Sequence, residues 1–324
     1  MRDFINQQKN KILQGVALSK DSATKLLDVQ GKDLYILFSA ANEIRTHFRG
    51  NKAHLCAITN AKSGKCSEDC AFCAQSSHYS TSQPSYPLID PQEMLVRAEK
   101  AVEAKTHRFC LVVSGCSLNE QELAFLCEGI RLIKNKFPNL LLDASLGQLT
   151  EAQAQRLKDA GLSRYNHNIE TVEDFFSKIV TTHTFKDRVK TLRVLKKVGL
   201  EICCGGIFGL GESPKQRIEF AYALKDLDID CIPLNFLNPI AGTPLENSAP
   251  IAPLELVKIV AIFRLVHPKK EIKICGGRES CLKELQSLIF QAGSDSIIIG
   301  DYLTTKGNKA EEDLKMVKAS GLEV

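Results

Sequence analysis

Short apolar runs alternate with amphipathic segments along most of the chain, and this alternation predicts the fold. The apolar runs have the length of strands, and the segments between them have helical periodicity. The eight predicted strands are His54–Thr59, Phe109–Val113, Leu140–Ser145, Tyr165–Ile169, Glu201–Ile207, Cys231–Phe236, Ile272–Gly276 and Ser296–Ile299. The predicted helices are Pro91–Lys105, Glu120–Lys136, Glu151–Asp159, Lys186–Lys197, Pro214–Leu227, Pro253–Val266 and Cys281–Ala292. This α/β alternation favours a parallel sheet closed as a TIM-type (β/α)8 barrel, with an open doubly wound sheet as the alternative.

Both ends of the chain outside these units are predicted to be helical. Apolar residues recur at helix-like intervals up to about residue 50, so we expect an N-terminal helical cover for one end of the barrel. Ala310–Lys318 predicts a C-terminal helix. Because no linker or low-complexity tract divides the chain, we expect a helical extension over 1–50, a barrel over 51–305 and a helix over 306–324 packed on the barrel.

Composition narrows the classes of protein that this chain can belong to. Hydrophobic residues make up 44% and charged residues 25% of the 324 residues, which is an ordinary soluble balance. The net charge of +4 and the lack of a basic tract interleaved with aromatics argue against a nucleic-acid partner. No apolar run reaches the ~20 residues that span a bilayer, and Met1–Gln14 lacks the apolar core of a secretory signal. We therefore expect a cytoplasmic protein without a membrane partner.

Cysteine usage points to metal chemistry. The chain has 12 cysteines without a signal segment, which disfavours a disulfide framework. Cys66, Cys70 and Cys73 have C-x3-C-x2-C spacing on a polar loop directly after the first predicted strand, where barrels of this type place their active sites. Three close thiolates without a fourth suggest a four-iron cluster with one open iron. The alternative is a zinc knuckle, for which His78 is the nearby fourth ligand.

Phe72 completes the pattern C-x3-C-x-aromatic-C, which resembles the radical S-adenosylmethionine (SAM) superfamily. The resemblance implies that Cys66, Cys70 and Cys73 are the catalytic cysteines, which hold a [4Fe-4S] cluster whose open iron binds SAM. Rival members of the superfamily are the hydrogenase-maturation and methylornithine-forming enzymes. A rival from another class is a non-catalytic iron–sulfur electron carrier.

Within the superfamily, the chain resembles the biotin synthase family from about Phe48 to Leu322. This resemblance implies a sulfurtransferase that inserts sulfur into dethiobiotin to give biotin, with a second, auxiliary iron–sulfur cluster as sulfur donor. It also implies an external electron donor and a homodimer. The motifs that carry it are Cys66–Cys73, Gln75–Ser77, Arg108–Cys110, Tyr165–Thr171, Gly205–Glu212, Gly242–Leu245, Gly277–Glu279 and Leu303–Thr305.

The family resemblance also assigns ligand contacts. The SAM-binding positions that it implies are Phe72, Asn168, Glu170, Arg188 and Ile207. The substrate-binding positions are Asn166, Asn168, Asn235, Thr304 and Thr305. Glu170 stands where the family commonly has Asp. On a strand, Asn166, Asn168 and Glu170 share one face, and inward polar groups need a ligand or a hydrogen-bond network.

The auxiliary cluster is where the sequence departs from the family. Relatives hold a [2Fe-2S] cluster with three cysteines and an arginine, and two of these positions match Cys110 and Cys203. The other two fall at Asp143 and Lys273, whose side chains are poor ligands for an iron–sulfide core.

Two further cysteines offer replacements for these lost ligands. Cys56 and Cys231 occupy strand positions where relatives commonly have serines. If both face inward, they join Cys110 and Cys203 in a ring of four thiolates, which suits a four-iron cluster at least as well as a [2Fe-2S] cluster. Cys275, Asp143 and Lys273 are reserve ligands, and the alternative is that Cys56 and Cys231 are only buried thiols.

Overall fold

A computed structural model describes residues 1–324. Its strands form one closed parallel barrel. Nine strand segments form one sheet in which every pairing of neighbours is parallel. They are β1 His54–Lys62, β2 Arg108–Val113, β3 Leu141–Ser145, β4 Arg164–Asn166, β5 Glu201–Cys203, β6 Gly206–Phe208, β7 Cys231–Phe236, β8 Glu271–Ile274 and β9 Ser296–Ile298.

The nine segments occupy eight barrel positions, because β5 and β6 are two halves of one predicted strand. Strand β7 pairs with both halves, through Cys203 opposite Cys231 and Gly206 opposite Leu234, and these pairings close the sheet. The interruption at Gly205 follows from close backbone approach, since a Cβ atom there would lie 2.0 Å from the Pro233 carbonyl oxygen. The predicted (β/α)8 barrel is confirmed.

Thirteen α-helices accompany the strands. They are α1 Arg2–Leu13, α2 Lys20–Lys25, α3 Lys32–Arg49, α4 Pro91–Glu103, α5 Glu120–Lys136, α6 Glu151–Ala160, α7 Glu173–Phe176, α8 Phe185–Val198, α9 Pro214–Asp226, α10 Pro253–Val266, α11 Arg278–Leu282, α12 Leu288–Gln291 and α13 Ala310–Ala319. Four of them begin with a capping box, which satisfies the free N–H groups of the first turn.

Two further predicted elements differ from the structure. The single helix predicted over Cys281–Ala292 is wrong, because the chain is broken after α11 at Lys283, which has φ +50°. The fourth predicted strand is too long, since regular pairing ends at Asn166 and Glu170 turns the chain with φ +63°. Only an isolated bridge from Glu170 to Gly206 continues that strand.

The terminal segments pack along the barrel's helical layer. Helix α3 lies against α10, where every residue from Leu256 to Val266 is buried as a result. Helix α13 is joined to the barrel by Arg278, which donates to both carboxylate oxygens of Asp313 at 2.8 Å. None of the helices has both the length and the apolar character that a bilayer crossing requires.

Candidate active site

The cysteine loop leaves the C-terminal end of β1 and is held in shape by its own backbone. The Cys66 N–H donates to the Gln75 carbonyl at 3.1 Å, and the Ser77 N–H donates back to the Cys66 carbonyl at 2.8 Å. Between them, the Cys73 N–H donates to the Cys70 carbonyl at 2.9 Å. The loop therefore presents the three cysteine side chains from one compact turn, all as free thiols.

The loop's donor set fits a four-iron cluster with three protein ligands. Burial raises the pKa of the Cys70 and Cys73 thiols, while Arg188 opposes the shift at Cys70 and the N–H groups of Gln75 and Ser76 oppose it at Cys73. Such N–H groups aimed at sulfur stabilise thiolates. No three Cys, His, Asp or Glu side chains converge on one metal position, whereas a cubane places each thiolate on a different iron.

A second contact fastens the cysteine loop to the segment after β4. The Asp69 carboxylate accepts hydrogen bonds from the N–H groups of Thr181, at 2.9 Å, and Thr182, at 3.1 Å, and from both hydroxyls. Although desolvation opposes ionisation, these bonds hold the pKa of Asp69 well below its usual range. The Ala71 N–H adds a bond of 2.8 Å to the Ile179 carbonyl. Sequence reasoning gave no signal for these contacts, because more than 100 residues separate the partners.

A cavity of about 250 Å³ opens beside this loop at the C-terminal ends of the strands. Six residues that the family resemblance singled out line it together: Phe72, Cys73, Ile207, Asn235, Thr304 and Thr305. Lining residues that the sequence did not single out include Ile58, Asn238, Ile298 and Tyr302. The cavity is mostly apolar with a few convergent polar groups, as small-molecule sites are.

Four other predicted contact residues lie outside the lining of this cavity. Asn168 accepts from the Gly205 N–H at 3.1 Å and donates to Glu170 at 3.4 Å. Asn166 donates to the Cys110 sulfur at 3.2 Å, and its carbonyl oxygen is buried without a partner. Arg188 and Glu170 both act electrostatically on the Cys70 thiol, so the three groups lie close together.

Glu170 gives the site a measurable pH dependence. Burial raises its pKa to about 7, against the influence of Arg188 and Asn168. In the unfolded chain the group titrates near its ordinary value of about 4.3, so the folded protein without ligands loses stability as pH rises from there to about 7.

We expect Glu170→Gln to remove this loss. At pH 8 the ligand-free variant should be more stable than the unsubstituted protein by up to ~3 kcal/mol, and the difference should shrink steadily toward pH 5. Urea unfolding at several pH values measures it. Glu128→Gln, at an exposed position of α5, is the control for removing a carboxylate elsewhere on the surface. A Glu170→Gln difference that does not vary with pH would contradict the prediction.

Five buried cysteines face the barrel lumen below the cavity. Cys56, Cys110 and Cys275 contact one another with Ile298 and are separate from the main core between strands and helices. Cys203 and Cys231 are register partners on β5 and β7, and burial together with the neighbouring Cys203 thiol raises the pKa of Cys231. The neighbouring Cys204 belongs to the main core and faces outward. The four cysteines proposed as a ring therefore share the lumen with the reserve ligand Cys275.

Lys273 enters the same part of the lumen with only 2% of its side chain exposed. Its ammonium group has no hydrogen-bond partner within the chain, and its nearest carboxylates, on Asp143 and Glu271, lie 4.0 and 3.9 Å away. Asp143 is engaged by Arg108 at 2.8 Å, and one oxygen of each carboxylate is buried without a hydrogen bond. Burial opposes the charged form of Lys273, but the neighbouring Cys231, Cys56 and Cys203 sulfurs outweigh it and raise the pKa of the ammonium well above its ordinary value. A buried ammonium facing thiols suits an anionic cluster better than an empty lumen.

The barrel, the three-cysteine loop and the cavity beside it define the class as a radical SAM enzyme. Residues 61–224 match the model of the Radical SAM superfamily, and residues 233–323 match that of the Biotin and Thiamin Synthesis associated domain. The structure is similar to that of methylornithine synthase, with a TM-score of 0.86 and 21% identity over 98% of this chain and 96% of the other. It is also similar to the FeFe-hydrogenase maturase HydG from Carboxydothermus hydrogenoformans, with a TM-score of 0.82 and 18% identity over 98% and 78%. At these identities the likeness concerns the fold alone.

Full-length relatives narrow the class further. The chain is 48% identical to biotin synthase of Citrifermentans bemidjiense over 99% of this chain and 98% of the relative. It is 46% identical to biotin synthase of Geobacter sulfurreducens over 100% and 98%. The chain belongs to the biotin synthase family, whose members use a [4Fe-4S] cluster and SAM.

Proposed function

We propose that this chain converts dethiobiotin to biotin with two iron–sulfur clusters, one on the cysteine loop and one in the barrel lumen. The observation that carries the proposal is the position of one cavity between the two sets of thiols. Its wall contains Cys73 from the loop. It also contains Gly276, which follows the lumen cysteine Cys275 in the sequence, and Ile298, which contacts Cys275. A substrate held there can reach both sets.

The residues around Cys70 are proposed to hold SAM. When bound, the loop cluster supplies the electron that cleaves SAM to methionine and a 5′-deoxyadenosyl radical, which removes hydrogen from an unactivated carbon. Arg188 pairs with the SAM carboxylate, and Asn168 and Glu170 hold the ribose hydroxyls. Phe72 and Ile207 form an apolar wall of the cavity that suits the flat adenine.

Dethiobiotin is proposed to occupy the part of the cavity that is lined by Asn235, Thr304 and Thr305. Thr304 and Thr305 bind its carboxylate, while Asn166 and Asn235 bind its ureido ring by donating and accepting hydrogen bonds. The Asn235 amide already accepts from the Gly276 N–H at 3.0 Å and donates to the Gly206 carbonyl at 3.2 Å, which fixes its orientation. The apolar remainder of the wall excludes water, which protects a radical from side reactions.

We propose that Cys56, Cys110, Cys203 and Cys231 hold the auxiliary cluster that supplies sulfur. All four are buried thiols in the lumen, and burial raises the pKa of Cys56 to about 11 despite the opposing charge of Lys273. Metal binding must therefore displace their protons. Lys273 is proposed to hydrogen-bond the cluster. Asp143, which accepts a hydrogen bond from Arg108, is proposed to lie beneath the cluster as part of a group of buried charges. Cys275 remains the reserve ligand nearest the cavity.

The reaction also needs partners outside the chain. An external donor must supply one electron for each SAM cleaved, because the radical forms by one-electron reduction. Following the family, we propose a homodimer, which light scattering under anaerobic conditions tests directly.

Incubation with dethiobiotin, SAM, dithionite and sulfide tests the proposed function. We expect biotin together with 5′-deoxyadenosine, and we expect Thr304→Val to raise the KM for dethiobiotin about tenfold by removing one hydrogen bond to a carboxylate. Quantification by mass spectrometry measures both products. Formation of 5′-deoxyadenosine without any biotin would overturn the substrate assignment and favour another radical SAM reaction.

A further inference from the structure

A hydrogen-bonded chain of three side chains links the cysteine loop to Arg188. Glu68 lies within the loop, between Cys66 and Cys70, and its carboxylate contacts Nδ1 of His183. On the other side of the imidazole, Arg188 Nε donates to His183 Nε2 at 2.9 Å. Only 6% of the His183 side chain is exposed, so water does not replace these bonds.

The chemistry of the three side chains determines which group donates and which accepts in each hydrogen bond. A guanidinium has donors only, so Nε2 of His183 must accept, and the imidazole is then neutral with its proton on Nδ1. That proton is donated to Glu68, which is held further by the Thr182 hydroxyl at 2.7 Å. Burial and the charge of Arg188 both lower the pKa of His183, which agrees with a neutral ring.

The consequence for Arg188 is a defined orientation. Because Nε of the guanidinium is bonded to His183, the edge formed by the two terminal nitrogens faces away from the imidazole. Those two nitrogens have no hydrogen-bond partner within the protein. That edge binds a carboxylate with two parallel hydrogen bonds. The imidazole is itself wedged edge-on against Phe176, with ring centroids 5.6 Å apart, so it has little freedom to turn.

We propose that His183 is a positioning residue that fixes Arg188 for the SAM carboxylate and ties it to the loop that carries the cluster. The proposal rests on the SAM site described above. Glu68, His183 and Arg188 then form one rigid unit, which sets the distance between Arg188 and the cysteine loop. Sequence spacing does not reveal this unit, since 115 residues separate Glu68 from His183.

His183→Phe tests the proposal, because it keeps a ring against Phe176 and removes both hydrogen bonds. SAM affinity is measured on anaerobically reconstituted protein, from the change in the reduced cluster's EPR signal and by equilibrium dialysis. We expect about tenfold weaker SAM binding, with unchanged iron and sulfide content, and a KM effect on SAM larger than the kcat effect. His183→Gln, whose amide has one acceptor and one donor, should restore most of the affinity.

Two further variants separate the possible failures. His47→Phe, at an exposed histidine that also meets a phenylalanine edge-on, should bind SAM normally. Arg188→Met should weaken SAM binding at least as much as His183→Phe. If Arg188→Met has no effect, the proposed SAM site is wrong. If Arg188→Met weakens binding while His183→Phe does not, or if His183→Phe loses the loop cluster, the positioning role is wrong.

Discussion

Cys70→Ala should leave a folded barrel that has no SAM-binding cluster and forms no 5′-deoxyadenosine. The two remaining thiolates of the loop leave two irons of a cubane without protein ligands, so the cluster is lost rather than weakened. The loop itself should persist, because Asp69 and Ala71 keep their hydrogen bonds to the segment after β4. A single buried sulfur contributes little to the free energy of unfolding, about 1 kcal/mol.

Iron and sulfide analysis, together with chromatography of 5′-deoxyadenosine, measures the result. The matched control is Cys127→Ala, which removes another buried free thiol, on α5, far along the chain from the loop. It should retain both the loop cluster and SAM cleavage. A Cys70→Ala protein that still cleaved SAM at the rate of this control would refute the assignment of the loop.

The second large effect is expected from Cys56→Ala combined with Cys231→Ala. This double variant leaves only Cys110 and Cys203 of the proposed ring, so the auxiliary cluster should be lost and biotin formation should fall to background. The cysteine loop is untouched, so SAM cleavage should continue. The separation of the two activities is the sharp feature of this prediction, because general misfolding would remove both.

Its control combines Cys127→Ala with Cys204→Ala. Cys204 follows Cys203 directly but faces the main core rather than the lumen, so the control removes two buried thiols without altering the ring. It should keep both clusters and both products. Unchanged sulfide content and biotin yield in Cys56→Ala plus Cys231→Ala would refute the proposed ring of four cysteines, and Cys275 would then be the first alternative ligand to test.

The ionic groups beside the lumen cysteines explain how the lumen can hold the buried cation of Lys273. Lys273 lies near the carboxylates of Asp143 and Glu271 without bonding to either. Arg108 pairs with Asp143 at 2.8 Å, and Arg164 pairs with Glu271 at 3.0 Å, so the charges of both carboxylates are balanced. A buried charge is tolerated when neighbouring charges balance it. The Lys273 ammonium lies 4.0 and 3.9 Å from its nearest carboxylates, beyond hydrogen-bond distance, so its donors are available to a ligand in the lumen.

The pattern of residues along the chain was enough to predict the barrel, and the cysteine spacing was enough to predict the chemistry of the loop. Strand-like runs at regular intervals specify a parallel sheet because each run must be buried on both faces, and the spacing of Cys66, Cys70 and Cys73 is local, so it survives any arrangement of the rest. The inward direction of the lumen cysteines could also be anticipated, since alternate residues of a strand face opposite sides.

Contacts between residues that are distant along the chain could not be predicted from the sequence. The break between β5 and β6, the turn at Glu170 and the link from Glu68 through His183 to Arg188 each arise where backbone or side chains from separate strands meet. No local pattern encodes such contacts, because a hydrogen bond requires its donor and acceptor to be placed to within a few tenths of an ångström. Only the packing of the whole barrel sets that placement.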